Sequence, residues 1–339
     1  MRKQRITTFF SLALLFILLC SPLLIKAAAQ EAVPSHEAAP KFVLIPDNAR
    51  PGEPVTVCCS GLEESAAEAK DAGQGQLQPV LQAVLLDEQG KRLAKAAFFN
   101  VPAEEGEEEF AASILAIPST ARPGSGRIYI ESRDAVLADL PFTITGRKFT
   151  SETILLNQDN TDLRTRQDPQ KTAEAEQLWA ILSRTNGDIY CAAPFAPPVT
   201  STRRTSFYGD RRVYQYSDGS KDTSIHAGID YGVPKGTEVR SCAAGKVVLA
   251  RPRIVTGNSV VLEHLPGIYS LYYHMDRIVV REGAVVEAGT LLGLSGSTGL
   301  ATGPHLHWEI RVSGENADPD AFLSRAVLDK KDIINKMRE

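Results

Sequence analysis

Several kinds of chemistry are missing from this 339-residue chain. None of its five cysteines stands in a C-x-x-C pair, which argues against a cysteine metal knuckle. No H-E-x-x-H occurs, so no helical glutamate base beside paired helical histidines is expected. Gly293, Gly296, Gly299 and Gly303 resemble a phosphate loop only superficially, because neither the dinucleotide nor the Walker spacing is present. A basic surplus is also lacking: 37 Lys and Arg face 41 Asp and Glu. Such a chain has no broad electrostatic reason to bind nucleic acid. Long apolar runs are absent as well, with one exception.

That exception is the N-terminus. "MRKQR" is basic, "ITTFFSLALLFILLCSPLLI" is uncharged and apolar, and "KAAAQ" supplies small residues for cleavage after Ala29. The order reads as a secretory signal over residues 1–29. The run of about 20 apolar residues is also long enough to be kept as a membrane anchor. Cys20 adds lipid attachment as a third option, although it follows "ILL" rather than a small residue. All three place the remainder outside the cytoplasm, in the periplasm or cell envelope. Residues 1–29 hold Arg2, Lys3, Arg5 and Lys26 and no acid, so their removal takes the formal charge from −4 to −8. Cys58, Cys59, Cys191 and Cys242 remain, and an oxidising compartment allows them three pairings. Cys58 and Cys59 read equally well as strand neighbours facing opposite ways.

The length predicts two domains with connections. Residues 30–40 read as a flexible lead-in in which His36 is solvated. Residues 41–146 alternate short β-type runs ("KFVLIP", "PVTVCCS", "PVLQAVLLD", "FAASILAIP", "RIYIES") with turns such as "NARPGE" and "ARPGSG". That rhythm predicts an antiparallel β-sandwich without a catalytic constellation, its acidic run Glu104–Glu109 a solvated loop. Residues 147–190 form a linker, irregular up to 168. An amphipathic helix follows, with Asp168 as N-cap, Pro169 at its first position, Gly187 as its stop and Ala175, Leu178, Trp179 and Leu182 on the docking stripe. Residues 191–325 are β-rich and glycine-dense, and 326–339 continue a charged helical tail.

Five of the six histidines lie between 226 and 307. In "IHAGIDYG", His226 and Asp230 are four apart. In "GPHLHWEI", His305 and His307 are two apart, which on a strand turns both rings to one face. A core strand has no use for two imidazoles on one side. Zinc is served by imidazole and carboxylate, and a catalytic zinc keeps three protein ligands and one open position. The spacings leave a metal site and buried structural histidines both open.

The segments "HAGIDYGVPKGTEVRSCAAGKVVLA", "GNSVVLEH", "YSLYYHMDRI", "VREGAVVEAGTLLGLSGSTGLATGPHLHWEIR" and "DP" resemble, in this order, the lysostaphin/LytM-type zinc metallopeptidases over about residues 195–325. The resemblance implies a mainly β chain: an antiparallel β-sheet metallopeptidase domain behind the linker helix and a loosely Ig-like N-terminal β-domain. It implies one zinc ion held by His226, Asp230 and His307, with His305 taking a proton from water and His274 stabilising the tetrahedral intermediate. It further implies a peptidoglycan peptide as substrate in cell-wall remodelling or division. The partner of the Ig-like domain is unknown. Some relatives lose metal ligands and activate amidases through the empty groove; this chain retains all three. Tyr208 and Arg211 in "TSFYGDRRVY" and Asn258 in "GNSVV" fall where the family lines its groove. His264 reads as structural, and Glu309, of the same strand parity as His307, reads equally as a hydrogen-bond partner for a ligand ring or as an ordinary exposed strand position.

Overall fold

The computed structural model describes residues 40–61, 68–69, 78–79, 81–103, 109–133, 135–184 and 187–339. The proposed signal, Cys20, His36, nearly all of the lead-in and most of the acidic run lie outside them. Among the described residues no helix is long and apolar enough to cross a membrane.

The N-terminal strands form two sheets. One has four strands, in the order Lys41–Ile45, Pro54–Ser60, Phe110–Ala116, Phe99–Val101. The other has five, with Val136–Ile144, Gly124–Glu131, Gln82–Leu86 and Arg92–Ala97 as its main members. Side chains alternate across a strand, and here both faces of the four-stranded sheet are covered. Val55, Val57, Cys59 and Leu115 pack toward the five-stranded sheet. Cys58, Ala112, Ile114 and Ala116 join a second core that continues into the C-terminal region. That is why "PVTVCC" carries almost no polar alternation, and why Cys58 and Cys59 face opposite ways. All four described cysteines are free thiols.

The C-terminal region is built on a ten-stranded sheet. Arg204–Ser206, Gly228–Tyr231, Leu306–Val312, Ile268–Ile278, Gly257–Leu265 and Gly245–Arg253 follow one another antiparallel across it. Trp308, Tyr272, Leu262 and Ile310 are wholly buried at its centre. The terminal helix Lys330–Arg338 adds Ile333, Ile334 and Met337 to the same core. Residues 38–339 therefore make one compact unit, with the apolar core continuous between the two regions.

Two expectations change in detail. The segment read as irregular up to 168 contains the strand Ser151–Leu155 and the helix Gln158–Thr165. The strand pairs in parallel with Arg211–Gln215, which pairs in turn with Lys221–Ile225. Its alternation escaped notice because Ser151, Thr153 and Leu155 face solvent while Glu152 and Ile154 face inward. The helix Pro169–Leu182 begins as expected, with Asp168 accepting from the Gln170 N–H, but stops at Ser183, before Gly187. Its buried residues are Ile181 and Leu182, against Val261, Tyr269 and Leu271, whereas Trp179 is 58% exposed.

Candidate metal centre and active site

His226 stands just before the strand Gly228–Tyr231, and Asp230 lies within it. Asp230 sits directly opposite His307 of Leu306–Val312 in the antiparallel ladder. The close pairing depends on Gly228, where a Cβ would come within 2.2 Å of the Trp308 carbonyl oxygen. Sheet register thus brings together residues 77 positions apart. The His307 Nδ1 lies 2.8 Å from Asp230 Oδ1. The His226 Nε2 lies 3.1 Å from the same oxygen and 3.0 Å from His307 Nδ1. All three residues are buried. Among the described residues, this is the one group whose donor atoms meet closely enough to hold a metal ion, all within 4.8 Å of one another.

The outward ring nitrogens are tied down. His226 Nδ1 donates to the Phe207 carbonyl at 2.8 Å, which leaves Nε2 as a lone pair facing the cluster. His307 Nε2 lies 3.4 Å from a Glu309 carboxylate oxygen, as expected for a ligand ring oriented from behind. Glu309 is itself paired with Arg311. Burial alone would raise the Asp230 pKa, but its close contacts with the His226 and His307 rings hold it well below the ordinary carboxylate value. Burial lowers His226. For His307 the carboxylates of Asp230 and Glu309 outweigh burial and raise it to about 9. The cluster therefore favours a positive charge among its three donors. Two imidazole nitrogens and a carboxylate oxygen, converging and oriented by outer partners, fit zinc.

Two further imidazoles approach the same point. His305 Nε2 is 3.9 Å from Asp230 Oδ1, and its Nδ1 donates to the Gly303 carbonyl at 2.9 Å. His274 lies with its ring centroid 4.7 Å from that of His305. It adopts a left-handed backbone, φ 61°, beside an irregularity in the Ile268–Ile278 strand, a conformation a non-glycine residue adopts at some cost. Its Nδ1 donates to the Thr298 carbonyl at 2.8 Å, and burial, reinforced by His305 and His307, lowers its pKa to about 3. Asp230, His274, His305 and His307 open onto a cavity of about 340 Å³.

Glu152, Ile154, Leu156, Arg212 and Tyr214 line the same cavity. Sequence reading missed these residues, and the structure places the three expected groove residues elsewhere. Arg211 binds the Ser119 and Gly209 carbonyls and covers the Phe149 ring. Its neighbour Arg212 faces the site because adjacent strand residues point opposite ways. Tyr208 is buried, its hydroxyl donating to the Asn316 carbonyl. Asn258 donates to the Met275 and Asp276 carbonyls and braces the strand that carries His274. The shared parity of Arg212 and Tyr214 was legible, but which parity faced the cavity was not. His264 is structural in its contacts: fully buried, it bonds the Ala244 carbonyl and the Ser270 hydroxyl.

An antiparallel sheet that sets two imidazoles and a carboxylate at facing positions, with two more imidazoles at the mouth of a cleft, suits metal-assisted hydrolysis. Residues 224–319, the segment that carries the cluster, match the sequence model of Peptidase family M23. DD-carboxypeptidase/endopeptidase Mpg of Neisseria meningitidis serogroup B is 37% identical over 122 residues, 36% of this chain and 27% of the relative. Peptidoglycan DD-endopeptidase ShyA of Vibrio cholerae is 38% identical over 130 residues, 38% of this chain and 30% of the relative. The matched segment thus spans less than a third of either relative's length. A Pseudomonas aeruginosa crystal structure described as a candidate peptidase M23 shares the fold, with TM-score 0.52 at 22% identity, covering 80% of this chain and 93% of its own.

Proposed function

We propose that the chain is an exported zinc-dependent endopeptidase that hydrolyses peptide bonds in cell-wall peptidoglycan, with His226, Asp230 and His307 holding one zinc ion. The observation that carries this reading is the convergence of His226 Nε2, His307 Nδ1 and Asp230 Oδ1 beside two imidazoles that open onto a cleft. The names of the M23 relatives supply the substrate class. Exported, cell-envelope placement rests on the N-terminal signal pattern and agrees with that substrate. The N-terminal sandwich is read as Ig-like from its two packed sheets, antiparallel apart from the short Asn48–Ala49 strand, which runs parallel to Val136–Ile144.

Zinc, when bound, polarises a carbonyl and lowers the pKa of water. The chain's own residues supply the proton handling. His305, with Nδ1 committed to Gly303, presents its Nε2 3.9 Å from Asp230 Oδ1 and accepts the proton of the attacking water. His274 is likewise committed at Nδ1 and is neutral at pH 7. Its part in this reading is to stabilise charge on the tetrahedral intermediate.

Zinc content and mass spectrometry of fragments released from defined peptidoglycans test the proposal, with His305→Ala as control. Zinc binding with release of cross-link or stem-peptide fragments is expected. A zinc-loaded protein that releases nothing from any peptidoglycan would overturn it.

A further inference from the structure

Asp230 has two carboxylate oxygens, and only one faces the histidines. Oδ1 meets His226 and His307. Oδ2 accepts from Arg212 Nη2 at 2.5 Å. Both partners are deeply buried, with side-chain exposures of 13% for Arg212 and 9% for Asp230. The guanidinium is fixed from its other side as well, since its Nε donates to Glu152 Oε1 at 2.8 Å. That same Glu152 oxygen also accepts the Ser206 hydroxyl at 2.8 Å. Arginine cannot discharge and its donors form a rigid fork, so one planar group is shared between two carboxylates in a set geometry.

We infer that Arg212 is a positioning residue that occupies Asp230 Oδ2, so that this carboxylate offers the metal a single oxygen. The inference rests on the zinc-site reading above. Both oxygens of a free carboxylate can bind one cation, which adds a ligand and puts more negative charge on it. With Oδ2 held by a permanent cation, that second contact is closed, and the open position of a three-ligand site stays available for water. Arg212 and Glu152 both lie outside residues 224–319, the segment matched by the family. The device therefore belongs to the part of the chain that supplies the Ser151–Leu155 and Arg211–Gln215 strands.

The test uses the full chain loaded with cobalt(II), whose visible absorption weakens as coordination rises from four to five, together with zinc affinity by chelator competition. Arg212→Met should give weaker cobalt bands and a zinc affinity raised by about 10-fold, because a ligand oxygen is gained and a neighbouring cation lost, with kcat reduced more than KM. Arg212→Lys keeps the charge but not the fork and should fall between. If Arg212→Met does not fold, Arg212→Lys and Glu152→Gln are read by the same two measurements. Cobalt bands and zinc affinity equal to the unmodified chain in the folded variants, with only a lower melting temperature, would overturn the inference. His307→Ala separates the two claims: it should lose cobalt altogether, and if it binds cobalt normally the metal-site reading itself is at fault.

Discussion

The four-stranded N-terminal sheet and the Gly228–Tyr231/Leu306–Val312 pair of the C-terminal sheet are both antiparallel and both buried, yet they hide different things. Around Val57, Leu115 and Ile114 the first buries mainly apolar groups on its two faces. The second buries His226, Asp230, His307 and Glu309. Burying a charge is costly unless it is paired, and both carboxylates here meet an arginine: Arg212 for Asp230 and Arg311 for Glu309. The apolar sheet contributes stability through area removed from water. The polar pair uses the rigidity of the same ladder to hold donor atoms in place. Two regions sharing one continuous core thus divide the work, and mutations should separate them.

The largest effect is expected at His307→Ala, which should abolish stoichiometric zinc by metal analysis and peptidoglycan cleavage with it. His305→Ala should retain zinc and lower kcat by about 10²–10⁴-fold, the usual worth of a positioned general base; loss of zinc in that variant would erase the distinction between the two histidines. On the apolar side, Leu115→Ala should cost about 2–5 kcal/mol in denaturant unfolding, while zinc content per folded chain stays unchanged.

His264 tests the polar side without touching the metal donors. Burial depresses its pKa to about 4, against roughly 6.5 in the unfolded chain. Below pH 6.5 the unfolded chain takes up a proton that the folded chain refuses. Stability is therefore full above that pH and declines as pH falls toward 4, by roughly 3 kcal/mol. His264→Gln should flatten this part of the stability–pH curve measured by urea titration. Smallest is Glu309→Gln, which leaves the His307 ring a neutral partner and should weaken zinc by about 10-fold, at the low end for an outer-shell change.

Periodicity and motif spacing made much of this legible. The sandwich followed from turn-punctuated β runs, and the pair His305 and His307 from strand parity. The Asp168–Pro169 helix start followed from capping. What escaped was the Ser151–Leu155 strand, whose outward face is polar and whose partner lies 60 residues away. Arg211 drew attention in place of Arg212 because parity fixes alternation but not which face is inside. Of the expected docking stripe, Leu182 is buried and Leu178 packs beside it, whereas Trp179 is exposed and Ile181 is buried in addition.

The sequence by itself determined which His, Asp and Glu side chains could supply metal donors at those spacings, while leaving open which of them meet. It also determined that the chain is mainly β, because alternation is a local property. Only the tertiary structure decided that Asp230 stands opposite His307, that Asp230 meets Arg212 and Glu309 meets Arg311, and that the sandwich and the C-terminal sheet share a core. Those facts depend on register and on contacts between distant segments, where one residue of slip turns every side chain to the other face.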